Sequence, residues 1–161
     1  MSNENEIVYR RAALSDVPTL VETRVRFLNE LHGHLENDET KVIRESLLNY
    51  FTKAIPSQDF IAWVAELDGK IVATSGMVVW QKPATYGGVE TGRLGYLLNF
   101  YTVPETRRKG VATRLLHELI EEARLLGLKY LHLHASKSGE SIYRTAGFRE
   151  PRMPELTLRL E

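Results

Sequence analysis

The chain has 161 residues, 43% of them hydrophobic, with 21 Lys plus Arg against 21 Asp plus Glu and no cysteine. That length suits a single domain, residues 1–161, with a sizeable core. Zero net charge argues against bulk attraction to nucleic acid or an anionic membrane, and the lack of cysteine excludes disulfides, thiolate metal sites and a cysteine nucleophile.

The polar start, "MSNENEIVYRRA", lacks the apolar core of a secretory signal, and no apolar run reaches bilayer length, so a cytoplasmic protein is expected. "IVYRRA" reads as a first strand, and Ser15 or Asp16 as the N-cap of a helix over "VPTLVETRVRFLNELHG" that stops near Gly33. A second helix, "ETKVIRESLLNYFTKAI", should end at Pro56. "DFIAWVAE" and "KIVATSGMVVW" are strands joined through Asp68-Gly69, a tight-hairpin signal. Residues 81 to 92 are loop by composition, and "RLGYLLNFYTV" is the next strand. A helix over 109 to 126 follows, with Ala112, Leu115, Leu116, Leu119, Ala123 and Leu126 on one stripe and Gly127 as its C-terminal cap. "KYLHLHAS" is a strand, "GESIYRT" a short helix, and "GFRE" and "ELTLRLE" supply two final strands. The order β-α-α-β-β-β-α-β-α-β-β predicts an α/β (α+β) fold. Its mixed, mainly antiparallel sheet has about seven strands and one parallel βαβ crossover between residues 94 and 134.

"RRKGVA", residues 107 to 112, places Arg107, Arg108 and Lys109 at the start of the long helix, where the backbone is already partly positive. Such charge is tolerable if a strong anion sits there, and a strand, a glycine and free helical N–H groups make a phosphate site. Gly110 lets the backbone close on a phosphate, and the small Ala112 keeps the turn tight. The competing reading is a solvated basic turn. The P-loop string and the dinucleotide fingerprint are both absent.

"YTVPETRRKGVATRLLHELIEEARLLGLKYLHLHAS", followed by "GESIYRTAGF", resembles the GNAT superfamily of acyl-CoA-dependent N-acetyltransferases. Arg107, Gly110 and Ala112 fit the family's Arg/Gln-x-x-Gly-x-Gly/Ala motif, after a V-P-E frequent in the family. Tyr143, Gly147 and Phe148 fit its second signature. The resemblance implies a GNAT fold with helices on both sheet faces and acetyl-CoA as cosubstrate. The turn through Arg107, Arg108, Lys109, Gly110, Val111, Ala112 and Thr113 would cradle the pyrophosphate. The strand at Tyr101, Thr102 and Val103 would pair with pantetheine through free backbone groups, after a bulge near Asn99 or Phe100. Ser136 stands where many relatives carry an Asn that contacts pantetheine.

Acyl transfer from a thioester to an amine needs a neutral amine, a stabilised oxyanion and a protonated leaving sulfur, but no nucleophilic side chain. By resemblance Tyr143 is the general acid, and a backbone N–H near Tyr101 the oxyanion donor. Glu90 in the loop is the first candidate base, followed by Glu66 and by a water held at Asn99. His132 and His134 alternate on one strand face at a spacing metals use, yet no third ligand is evident, so no metal is expected. His32 and His34 lie where the first two helices meet, and His117 lies beside the long helix's apolar stripe. The implied activity is acetyl transfer from acetyl-CoA to a primary amine in a ternary complex. The alternatives are a CoA-binding sensor without turnover and an acyltransferase with a hydroxyl or peptide acceptor. Neither nucleic acid nor membrane is expected as a partner, and a homodimer is left open.

Overall fold

The computed structural model describes residues 6–33, 37–87 and 89–160. The elements are β1 (Val8–Arg11), α1 (Val17–His32), α2 (Asp38–Ser57), β2 (Phe60–Leu67), β3 (Lys70–Gln81), β4 (Arg93–Thr102), α3 (Val111–Leu125), β5 (Leu131–His132) and α4 (Glu140–Thr145). They form one sheet in the order β1-β2-β3-β4-β5. The first three pairings are antiparallel, and β4–β5 is parallel, as the crossover requires.

Local chemistry sets most boundaries. Asp68 and Gly69 both take positive φ, 50° and 73°, as a type I′ hairpin demands. The side chain of Asn37 accepts from Thr40 N–H to cap α2, and Pro56 is absorbed in that helix's last turn rather than ending it. Gly33 and Gly127 adopt the left-handed conformation at φ 66° and 72°, where α1 and α3 stop. Asp16 precedes α1 but does not cap it; its carboxylate binds Arg10 and the Ala13 N–H.

The period-2 pattern of β2 separates the two sides of the core. Phe60, Ala62 and Val64 pack with Leu20, Val21, Phe51 and Ala54 of α1 and α2. Ile61, together with Met77 and Leu97, packs against Leu116, Leu119 and Ala123 of α3. Helices therefore cover both faces.

The expectation of about seven strands is corrected to five. "GFRE" and "ELTLRLE" form no ladder among the described residues. The alternating Leu156, Leu158 and Leu160 stand 81–88% exposed, with no sheet face to bury them, and β5, only two residues long, offers a short edge for pairing.

Gly76 marks a point where the sheet and the α1–α2 layer touch. A Cβ built there lies 2.2 Å from the Phe60 ring, which is itself fully buried against Phe51 at 4.9 Å between centroids. Gly76→Ala should therefore destabilise the fold by about 1–3 kcal/mol in urea denaturation, the usual cost of overpacking. A variant as stable as the parent would contradict this packing.

Candidate functional site

Between β4 and α3 the chain makes a turn with alternating backbone handedness. Arg108 (φ 63°) and Gly110 (φ 77°) are left-handed, and Val111 begins the helix. The first helical hydrogen bond runs from Arg114 N–H to Gly110 O at 3.0 Å, and no side chain caps the end. The N–H groups of Val111, Ala112 and Thr113 are the unpaired donors of this terminus. A Cβ added to Gly110 would meet nothing within 4 Å, so the space over the turn is open. Such a concave array of N–H groups binds anions.

The three cations divide. Arg107 turns back over β4: Nε donates to Thr102 O at 2.8 Å, and its other arm binds both Glu30 carboxylate oxygens at 2.8 and 2.9 Å. Its guanidinium also lies 5.5 Å over the Tyr101 ring, whose hydroxyl donates to the same carboxylate. Arg107 is thus a staple between β4 and α1, and its guanidinium does not join the array. Arg108 and Lys109 remain exposed beside the N–H groups.

The edge of β4 opens where the sequence predicts a bulge. Gly76 pairs with Leu98 but Thr74 with Tyr101, so Asn99 and Phe100 together face Ser75. Asn99 is left-handed at φ 61°. On the other side, β5 pairs only at Gly95–Leu131 and Tyr96–His132, and beyond Tyr96 the two strands part. Gly95 N–H bonds Tyr130 O on the β5 side, so by alternation Leu98 points its backbone to β3. Val103 N–H donates to Val72 O at 2.9 Å, which makes Val103 and, two residues back, Tyr101 the bonded rungs to β3. Trans peptide planes then turn the Asn99 N–H, the Phe100 C=O and the Thr102 N–H to the open edge. Of the expected pairing residues Tyr101, Thr102 and Val103, the N–H of Val103 is therefore bonded to β3, and that of Thr102 is turned to the open edge.

Tyr143 of α4 closes over this edge. Its ring meets Phe100 edge-on at 5.7 Å and Phe148 at 6.0 Å, and is 9% exposed. Burial pushes its phenol up to about 12. Ser136 accepts from Gly139 N–H at 3.3 Å and lies 3.2 Å from the Ser138 hydroxyl, which ties it to the entry of α4.

The carboxylate candidates are not brought to this edge. Glu90 lies in the turn before β4, and the seven residue steps from Arg93 to Phe100 put roughly 23 Å of strand between that end and the bulge. Glu66 is held by Arg10 at 3.0 Å on the β1–β2 side of the sheet. Asn99 is at the site: it is 2% exposed, and neither its Nδ2 nor its Oδ1 has a hydrogen-bond partner among the described residues. His117 is exposed on the outer side of α3, and His32 lines a cleft between α1 and α2 with Asn37 and Thr40; His34 lies outside the described residues. No group of three potential metal ligands occurs among the described residues. His134 hydrogen-bonds Tyr96 and pairs with Glu155, contacts that no local motif announces.

Comparison with known proteins points the same way. The family model described as "Acetyltransferase (GNAT) family" matches residues 25–148. A predicted acetyltransferase from Clostridium acetobutylicum, whose crystal structure was solved with acetyl-CoA, is 33% identical with a TM-score of 0.84. The match covers 94% of this chain and 96% of that one. The uncharacterized N-acetyltransferase YjgM of Escherichia coli is 27% identical over 88% of this chain and 81% of its own length. The chloroplastic GCN5-related N-acetyltransferase 6 of Arabidopsis thaliana is 34% identical over 37% of this chain, and the match spans only 22% of the plant protein.

The Arg107–Glu30 pair is half-exposed on both sides, at 41% and 49%. A double-mutant cycle of Arg107→Ala with Glu30→Ala should therefore give a coupling energy below about 1 kcal/mol, despite the bidentate geometry. A coupling above about 2 kcal/mol would mean that the pair is desolvated in solution.

Proposed function

The chain belongs to the GNAT family of acetyltransferases, and on that premise we propose that it transfers an acetyl group from acetyl-CoA to a primary amine by direct attack with both substrates bound. The observation that carries this reading is the continuity of two features: an unpaired β4 edge leads straight into a turn of unpaired N–H groups. A ligand with amides at one end and a pyrophosphate at the other fits that sequence of groups.

The residues present fit acetyl-CoA. The N–H groups of Val111, Ala112 and Thr113 would take the pyrophosphate, with Arg108 and Lys109 supplying charge that acts at longer range. The Phe100 C=O and Thr102 N–H would pair with the pantetheine amides as a neighbouring strand does. The Asn99 N–H, at the bulge, is the donor for the charge that develops on the thioester oxygen. The Asn99 amide supports a polar partner here, because a buried polar group left unpaired costs about 1–3 kcal/mol. The thioester supplies the acetyl group; the chain holds and orients it.

Tyr143 would donate a hydrogen bond, and then its proton, to the departing sulfur. With a phenol at about 12 and an ordinary thiol near 8.5, full transfer is uphill by roughly 3.5 units, or about 5 kcal/mol. Burial therefore makes Tyr143 a poor acid unless the cations of the turn offset it. The role is one of positioning until the sulfur carries full negative charge.

Thiol release from acetyl-CoA, measured with and without a panel of small amines, polyamines, amino acids and peptides, tests the reaction. Amine-dependent release is expected; saturable binding with no release for any amine would instead mark a sensor.

Two variants test the parts. Gly110→Glu should abolish acetyl-CoA binding in calorimetry while leaving the protein folded, because the carboxylate would enter the open space over the N–H groups. Unchanged affinity sinks the phosphate assignment. Tyr143→Phe should keep acetyl-CoA affinity and lower kcat by roughly ten- to a thousandfold. If melting temperature falls while kcat per folded molecule holds, the tyrosine is only packing.

A further inference from the structure

On the face of β4 that looks toward α1, three side chains from distant parts of the chain form a line. Tyr96 is the last β4 residue paired with β5, one step before the strands part. Its hydroxyl hydrogen-bonds His134 Nδ1, and His134 Nε2 lies 3.3 Å from Glu155 Oε2. Trp80 of β3 stacks on the Tyr96 ring at 4.8 Å and 12°, which fixes the phenol's direction. Their sequence positions have no local relation, and nothing in the reaction described above uses them.

The order of the contacts assigns the protons. A carboxylate can only accept, so the Glu155 contact favours the His134 tautomer that carries its proton on Nε2. His134 Nδ1 is then a lone pair, and Tyr96 donates to it. Burial, and next Glu155, push the Tyr96 phenol above its ordinary value, which keeps it protonated and able to donate. The phenol oxygen retains lone pairs for a donor arriving from outside. The arrangement is that of an orienting carboxylate, an imidazole base and a hydroxyl, with the hydroxyl serving as a conduit.

We propose that Tyr96, His134 and Glu155 form the proton relay that deprotonates the acceptor amine, a deepening that rests on the acetyl transfer proposed above. An ammonium gives one proton to the Tyr96 oxygen as the Tyr96 proton passes to His134 Nδ1. The amine is left with a free lone pair for attack, and His134 becomes an imidazolium balanced by Glu155. His134 is 67% exposed and returns the proton to water after turnover. The relay lies on the strand segment that leads into the bulge, three residues or roughly 10 Å before Asn99. It fills the role that Glu90 and Glu66 are too distant to play.

The charged and titratable groups facing the relay come from every neighbouring element. Arg24 of α1 acts on Tyr96 electrostatically and pairs with no carboxylate among the described residues. Glu155 comes from the C-terminal segment, His132 ends β5 two residues before His134, and Lys82 lies 5.1 Å over the Trp80 ring.

The test is the pH dependence of kcat/KM, from pH 6 to 10, for the wild type, Tyr96→Phe, His134→Gln and Glu155→Gln. The substrates are acetyl-CoA and the amine with the highest turnover in the panel above. Near neutral pH, Tyr96→Phe and His134→Gln should lower kcat/KM by roughly a hundredfold, and Glu155→Gln by about tenfold. The deficits should narrow at least tenfold toward the alkaline end, where the amine loses its proton unaided. Acetyl-CoA affinity and melting temperature should stay at wild-type values. A His134→Gln enzyme with the wild-type rate and profile overturns the relay alone. So does a deficit that stays constant with pH, because it reports a structural role. A wild-type enzyme that acetylates no amine overturns the reaction and the relay together.

Discussion

Asn99 occupies a left-handed conformation in the middle of a ten-residue strand, a position that non-glycine residues take at a cost and that must be fixed by the surroundings. The surroundings are specific: the Thr74 hydroxyl, on the facing strand, donates to the Asn99 carbonyl at 3.2 Å. The proposed acetyl-CoA site depends on the one-residue shift at this point. Upstream of it β4 spends its outward groups on β5; downstream the two strands have parted and Thr102 N–H and Phe100 C=O have no strand beside them. The same shift sets Phe100 against Tyr143 and aims Tyr101 at α1.

The cations at the start of α3 show how one basic run serves two purposes. Alone, three positive side chains at the positive end of a helix are unfavourable. Arg107 escapes that conflict by leaving the helix end altogether and joining β4 to α1 through Glu30 and Thr102. Because its backbone stays in the turn, the staple holds the alternating conformations of Arg108 and Gly110 in register with the strand edge. The unpaired groups left at this helix start are backbone N–H groups, which need no side-chain ordering to meet an anion.

Local signals carried the elements that obey local chemistry. Asp68-Gly69, Gly127, the stripe of α3 and the crossover order were all legible, and so was the bulge at Asn99 and Phe100 from the family resemblance. The last two strands were not, since alternation in "ELTLRLE" reports only a capacity to pair, and the two-residue β5 offers little to pair with. Composition likewise places Glu90 in a loop but does not say how far along β4 that loop lies from the bulge. The partners of Arg107 and His134 lie 77 and 21 residues away, at Glu30 and Glu155, so no spacing rule could reach them. The turn at the start of α3 was legible because its groups are consecutive, whereas the contacts of Tyr96, His134 and Glu155 converge only in the fold.

The account stands or falls on the open edge of β4, and residue-resolved amide exchange with and without saturating acetyl-CoA reads it directly. The account predicts that the Asn99 and Thr102 amides, together with those of Val111, Ala112 and Thr113, slow markedly on binding. Tyr101 and Val103, already bonded to β3, should change little. Saturable acetyl-CoA binding with Asn99 and Thr102 exchange unaltered would contradict it.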